Sequence, residues 1–503
     1  MVDYLKQILT SRVYEVARET PLELALGLSR RVNNNVFLKR EDTQDVFSFK
    51  IRGAYNKMSG LDPSILAQGV VAASAGNHAQ GVAMSAQKLK CPATIFMPVT
   101  TPSIKINGVK SRGAKVKLVG DNFDSTNQAA LSFCEENGQI YIPPYDDPDV
   151  IAGQGTIGLE LLNQLNPIDA IFVPVGGGGL ISGIASYVKS LRPGIKIIGV
   201  EPEDAASMTQ SLASGRRKKL AHVGQFADGV AVAQPGKEPF KICKTSVDEM
   251  ITVSTDEMCA SIKDIFEDTR SIMEAAGALS IAGLKKYVTT TGSEDQNLIA
   301  ITTGANMNFD RLRHIAERAE IGERREAILC VTIPEKPGSF KKFCKLIGRR
   351  SVTEFNYRYA SSSSAQIYVG LQVHDQADID ALIQKLNENN YPTQDFTDNE
   401  IAKLHIRHMV GGRSPDIDDE CLLRFRFPER PGALSSFLDK LGNHWNISLF
   451  HYRNHGADYG RVLCGIQIKN DEKTYLTKFL DDLGFPWVDE TDNIAYKLFL
   501  GKS

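Results

Sequence analysis

The sequence has no CxxC pair, no HExxH, no GxxxxGK[ST] and almost no net charge, and each absence removes a class of function. Lys plus Arg number 58 against 60 Asp plus Glu, a net charge of −2, so no broad basic field exists to draw nucleic acid or an anionic membrane. The cysteines, at positions 91, 134, 243, 259, 330, 344, 421 and 464, lie far apart. They read as reduced core residues of a cytoplasmic protein rather than zinc ligands or a disulfide set. His405 and His408 lack thiolate or carboxylate neighbours at metal spacing, and no metal is expected. Met1-Val2-Asp3-Tyr4 carries an acid at once and no Arg/Ser-rich leader follows, so no targeting segment is expected. Ala170 to Val188 is free of charge and long enough for a bilayer, but Pro174 and four consecutive glycines interrupt it. A buried strand, a tight loop and a helix start are expected there, and no membrane span.

What is present is alternation. Between about residues 35 and 310, apolar runs at Val36–Leu38, Val70–Ala73, Ala93–Met97, Lys115–Val119, Ala170–Val175, Ile195–Val200 and Asn297–Thr303 are separated by helical patterns. This predicts an α/β unit of open, mostly parallel sheets covered on both faces, with ligands beyond the carboxyl ends of the strands. Nine of the sixteen residues from 311 to 326 are charged, which reads as a solvated neck, and the catalytic domain is set at residues 1–322. Beyond it Ile333-Pro334-Glu335-Lys336-Pro337-Gly338 returns as Phe427-Pro428-Glu429-Arg430-Pro431-Gly432, an offset of 94. Tyr357-Arg358 meets Tyr452-Arg453 one residue later, as a single insertion would produce. Two ferredoxin-like α+β subdomains follow, 327–408 and 418–503, joined through Met409 to Asp416. A mere spacer or packing role for the pair is the alternative.

Four stretches carry chemistry. Lys50 lies in Val46-Phe47-Ser48-Phe49-Lys50-Ile51-Arg52-Gly53-Ala54, between aromatic and small residues. Partial desolvation there would lower its pKa and leave an amine able to form an imine with a carbonyl cofactor; a snorkelling helix lysine is the alternative. Gly176-Gly177-Gly178-Gly179-Leu180 sits between strand and helix, where bare amides favour an anion, unless it is only a tight turn. Ser74-Ala75-Gly76-Asn77-His78 offers amides, a hydroxyl and a carboxamide in one turn, or an ordinary helix cap. Thr302-Thr303-Gly304-Ala305-Asn306 ends an apolar strand, and its hydroxyl could meet a ring nitrogen.

Together these resemble the serine/threonine dehydratase family of fold-type II (tryptophan synthase β-like) pyridoxal-phosphate enzymes. Ser48 to Ala54 is similar to the family's Schiff-base motif, Ser74 to His78 to its substrate-carboxylate loop, and Gly176 to Leu180 to its phosphate loop. Glu274-Ala275-Ala276-Gly277-Ala278 resembles the EPAGA segment and departs from it at Ala275. By this resemblance Lys50 is the catalytic residue, joined to pyridoxal 5'-phosphate as an imine and then acting as general base. Phe49, Asn77, Gly176, Gly177, Gly178, Gly179, Leu180 and Thr303 would bind the cofactor, with Asn77 at its ring oxygen. Ser74, Ala75, Gly76, Asn77 and His78 would surround the substrate carboxylate. The neutral Thr303 would not keep the ring nitrogen protonated, which favours prompt elimination over racemisation or transamination.

The repeats resemble the paired ACT-like regulatory modules of the family's biosynthetic branch. The resemblance implies deamination of L-threonine, or L-serine, to a keto acid and ammonia, as the first committed step toward isoleucine. It also implies inhibition by isoleucine, opposition by valine, and a homotetramer. Effector contacts are expected at Pro337, Gly338, Ser339, Phe340, Tyr357, Arg358, Gly432, Ala433, Leu434, Tyr452 and Arg453. Serine racemisation, β-replacement or an amino-acid sensor with an inactive catalytic half remain as alternatives. Against racemisation stands Ala75, where racemases of this fold carry a serine that can deliver a proton.

Overall fold

Apolar runs that do not alternate with polar residues become strands buried on both faces. The computed structural model describes residues 2–334, 343, 346–348, 350, 352–358, 364–408, 419–428, 447–453, 459–468 and 472–500. It divides into two compact units, Met1–Ala319 and Glu320–Ser503.

The first unit holds two sheets. The larger contains β1 (Leu22–Leu24), β2 (Asn35–Arg40), β7 (Ala170–Pro174), β8 (Lys196–Pro202), β9 (Glu249–Val253) and β10 (Asn297–Thr302), in the order β1-β2-β10-β7-β8-β9. Only the β1–β2 pair is antiparallel. Side chains of successive residues point to opposite faces. Ala170 and Phe172 therefore join one core with Leu298 and Ala300, while Ile171 and Val173 join another with Ile299 and Ile301. The smaller sheet, β3 (Val70–Ala73), β4 (Ala93–Met97), β5 (Lys115–Leu118) and β6 (Ile140–Tyr141), is wholly parallel in the order β5-β4-β3-β6. The charge-free stretch at 170–188 is β7, the glycine loop and the start of the helix Gly179–Leu191. No helix among the described residues is long and apolar enough to cross a membrane.

The second unit repeats itself. β11 (Glu326–Pro334), β12 (Val352–Arg358), β13 (Ser364–Gln372) and β14 (Thr393–Asp395) form an antiparallel sheet in the order β12-β13-β11-β14. β15 (Glu420–Pro428), β16 (Ile447–Arg453), β17 (Tyr459–Gln467) and β18 (Trp487–Asp489) repeat that order. This is the ferredoxin-like arrangement, and the match is residue by residue: Pro334 pairs with Ser364 as Pro428 pairs with Tyr459. Both copies shift register in their second strand, at Val352/Glu354 and Ile447/Leu449. Alternation along β11 sends Ala327, Leu329, Val331 and Ile333 into the first module's own core. It sends Ile328 and Cys330 into a core shared with Leu422, Leu463 and Tyr496 of the second module.

The charged stretch at 311–326 departs from expectation. It does contain a helix, Arg311–Gly322, but one face of that helix is not solvated. Arg311, His314 and Arg318 are buried, spaced three or four residues apart and so on one side. Arg311 donates to the Phe226 carbonyl at 2.9 Å and stands 3.5 Å from Asp228, and Arg318 is bound to Asp256. Charge density alone does not show which charges find buried partners.

Candidate active site

Three of the four motif stretches follow the carboxyl ends of strands: Ser74 after β3, Gly176 after β7 and Thr303 after β10. The fourth is brought to them by backbone pairing. Ser48 bridges Gly304, Phe49 N donates to Thr303 O at 3.2 Å, and Ala305 N donates to Phe47 O at 3.0 Å. The helix Lys50–Ser59 thus starts against the end of β10. Gly81 of the helix Asn77–Leu89 lies so close to it that a Cβ there would come within 3.1 Å of the Lys50 carbonyl carbon.

Lys50 Nζ donates to the Pro144 carbonyl at 2.9 Å and lies 5.2 Å from the centre of the Phe49 ring. Burial pushes its pKa down to about 8, against the pull of Glu274. Two residues on, the fully buried Arg52 anchors the same helix. Its guanidinium meets Glu41 at 2.7 and 2.8 Å, Glu160 at 2.5 and 3.0 Å, and Thr156 Oγ1 at 3.1 Å. Burial alone would lower its pKa, but Glu41 and Glu160 outweigh that and raise it. Lys39 completes the cluster on Glu160 at 2.6 Å.

The glycine loop is a cradle. A Cβ at Gly177 would lie 2.2 Å from the Tyr145 ring, and one at Gly176 would lie 2.9 Å from Val230 Cα. Gly178 caps the following helix at φ +94°, a conformation L side chains rarely adopt, and no side chain caps that helix. Its first N–H groups therefore lack intrahelical acceptors and are offered to a ligand. Tyr145 follows Pro144, so the carbonyl that holds Lys50 and the ring that covers the loop are consecutive residues.

At the third stretch the helix Asn77–Leu89 is capped by Gly76, again without a side-chain cap; Ser74 Oγ accepts from Gly76 N at 3.1 Å. Nothing lies within 4 Å of where a Gly76 Cβ would be, which leaves room beside the loop. His78 is turned away: its Nε2 lies 2.8 Å from the Ile142 carbonyl, and burial, with Lys50, pushes its pKa down to about 3. It is a neutral donor to the backbone, and only its amide remains for a substrate. Thr303 is buried, with its hydroxyl on the Ala276 carbonyl at 3.2 Å. Phe49 and Leu180 are buried in one core.

Two groups that received no role from the sequence lie among these. Glu274 Oε1 accepts from Asn77 Nδ2 at 2.5 Å, and Asn306 Nδ2 donates to Asn77 Oδ1 at 2.7 Å. Burial, with Asp228 adding, pushes the Glu274 carboxyl up to about 7, while Asn77, Lys105 and Arg311 pull it back. Partial burial would raise the Asp228 carboxyl, but Lys105 and Arg311 hold it below the usual carboxylate range. Both Glu274 and Asn306 stood inside quoted motifs; an acid before four small residues was the available signal.

A desolvated amine, a glycine cradle at a helix start and the Asn77 carboxamide fit an aldehyde cofactor with an anionic tail. Ser48 Oγ, buried with no partner among the described residues beside that amine, is a further polar atom such a group could meet. The comparisons agree. Residues 13–304 match the family described as pyridoxal-phosphate dependent enzyme, and residues 317–406 and 411–500 each match the C-terminal regulatory domain of threonine dehydratase. An L-threonine dehydratase biosynthetic IlvA of Burkholderia multivorans is 54% identical over 99% of both chains. The chain belongs to the threonine dehydratase family.

Among solved structures, the processed form of threonine deaminase isoform 2 from Solanum lycopersicum is 52% identical, with a TM-score of 0.62 over 63% of this chain and 92% of that one. Maize serine racemase is 31% identical, with a TM-score of 0.59 over 62% of this chain and 95% of that one. The catalytic and regulatory family matches lie in one chain. Of the effector positions, Pro337 to Phe340 and Gly432 to Leu434 lie outside the described residues. Tyr357-Arg358 and Tyr452-Arg453 end β12 and β16 at equivalent register positions.

Proposed function

We propose that this threonine dehydratase deaminates L-threonine, and also L-serine, giving 2-oxobutanoate and ammonia from threonine for isoleucine synthesis. The observation that carries the reading is the half-buried Lys50 amine, with its pKa pushed down to about 8, on the Pro144 carbonyl next to the Tyr145 ring that covers the glycine cradle. When bound, pyridoxal phosphate supplies an electron sink that acidifies the α-proton of an amino acid joined to it.

The chain's own residues do the rest. Gly176 to Leu180 would hold the phosphate through backbone N–H groups, and Phe49 packs beside the amine. Ser74, Ala75, Gly76 and the His78 amide bind the substrate carboxylate, which aligns the α-proton for Lys50 Nζ. Lys50 takes that proton as a neutral amine, and its lowered pKa keeps that form populated near neutrality. Thr303, whose hydroxyl lies on the Ala276 carbonyl at 3.2 Å, would offer the ring nitrogen no ionisable partner, which would favour loss of the β-hydroxyl over racemisation or transamination. Ala75 presents a methyl group where a racemase needs a proton donor.

The paired modules of residues 327–408 and 418–503 bind isoleucine and valine at Tyr357, Arg358 and their counterparts, in a cytoplasmic homotetramer. Each effector shifts activity by preferring one conformation, and the coupling is reciprocal. Borohydride reduction of the resting holoenzyme should label Lys50, and keto acid formation from threonine should fall with isoleucine and recover with valine. An unlabelled Lys50 would remove the chemical core of the reading.

A further inference from the structure

Asn77 is held at both ends of its carboxamide, and a backbone carbonyl sets the polarity of that arrangement. Val46 O can only accept, and Asn306 Nδ2 donates to it at 2.8 Å. The other hydrogen of Asn306 Nδ2 goes to Asn77 Oδ1 at 2.7 Å. The opposite end of Asn77 is therefore its NH2 group, one hydrogen of which goes to Glu274 Oε1 at 2.5 Å. The second hydrogen has no acceptor among the described residues. Reversing the Asn77 amide would set NH2 against NH2 and oxygen against carboxylate.

Glu274 is itself immobilised. It is the N-cap of the helix Ala275–Thr291, and its amide donates to Gly304 O at 3.2 Å. A Cβ at Gly304 would stand 2.9 Å from Glu274 Oε1, and one at Gly229 would stand 3.5 Å from it and 3.9 Å from Asn77 Nδ2. The carboxylate thus sits between two residues that have no side chain.

We propose that Glu274 is a positioning residue for the reaction: by accepting one N–H of Asn77 it aims the other at the ring oxygen of the cofactor, so that this oxygen always receives a hydrogen bond. The inference rests on the reading that Asn77 faces that oxygen. Glu274 acts through geometry, because any acceptor at the same place sets the same amide orientation. The charged groups around it, Lys50, Asp228, Lys105 and Arg311, act on its charge and not on this orientation.

The absorbance of the resting holoenzyme tests this, because the ratio of its long- to short-wavelength bands reports the protonation of the ring oxygen. Glu274→Ala should lower that ratio and weaken cofactor binding about tenfold, the effect of one lost hydrogen bond in a buried site. Glu274→Gln, whose amide oxygen accepts the same N–H, should restore both to within about twofold. Asn77→Ala is the reference. If it leaves the ratio unchanged, Asn77 is not at the ring oxygen and the functional reading of that residue fails. If Asn77→Ala moves the ratio and Glu274→Ala does not, the positioning inference alone fails, as it does if Glu274→Gln behaves like Glu274→Ala. Should Glu274→Ala not fold, Glu274→Leu removes the acceptor while keeping most of the side-chain volume; the ratio should fall there too, and an unchanged ratio overturns the inference.

Discussion

At the scale of single residues, the chemistry turns on how far burial has moved a proton equilibrium. A lysine with a pKa of about 8 is neutral in about a tenth of molecules at pH 7, against well under a thousandth for an exposed one. Uptake of pyridoxal phosphate by the cofactor-free protein, followed by absorbance, should therefore climb about fivefold between pH 7 and 8 and flatten above about 9. A rise continuing to pH 10 would mean that Lys50 is not desolvated. Thr303→Asp should keep the ring nitrogen protonated, slow elimination and bring new long-wavelength absorbance with threonine. Unchanged product ratios and spectra would remove the role given to Thr303. Lys50 was legible because its neighbours are apolar, but its hydrogen bond to Pro144, 94 positions away, is a product of folding.

At the scale of elements, two features hold the catalytic geometry and each can be broken singly. Arg52 ties the Lys50 helix to Glu41 and Glu160 with no exposure at all. Arg52→Ala would leave Glu41 and Glu160 buried without the guanidinium that pairs them and should cost about 3–5 kcal/mol in urea unfolding. A loss within about 0.5 kcal/mol would show that the cluster is solvated. Gly177→Ala would drive a methyl group into the Tyr145 ring, which begins 2.2 Å away. Cofactor affinity, read by equilibrium dialysis, should drop at least tenfold with far-ultraviolet circular dichroism unchanged. Strand positions were legible to within a residue or two wherever the run was apolar on both faces, as at Ala93–Met97. β1, β6 and β9 went unread: the first two have only three and two residues, and Glu249–Val253 is buried at only two of its five positions.

At the scale of the whole molecule, the chain joins a catalytic unit ending at Ala319 to a repeated regulatory unit. The solved neighbour from Solanum lycopersicum covers 63% of this chain and 92% of its own, so a chain of about catalytic length stands as a fold. Ending this chain after Gly322 should leave threonine turnover and abolish the response to isoleucine. A truncated chain still inhibited by isoleucine would move the effector site out of the repeats.

The sequence by itself determined the types of element and the types of chemistry. Glycines where backbone must be bare, a lysine among apolar neighbours, continuous apolar strand runs and a 94-residue repeat are all properties of the chain itself. Only the tertiary structure decided which polar groups meet: Glu274 with Asn77 across 197 positions, Arg52 with Glu160 across 108, and Arg318 with the buried Asp256. A desolvated charge or amide must find its partner wherever packing brings one, and that choice is made by contacts remote in sequence.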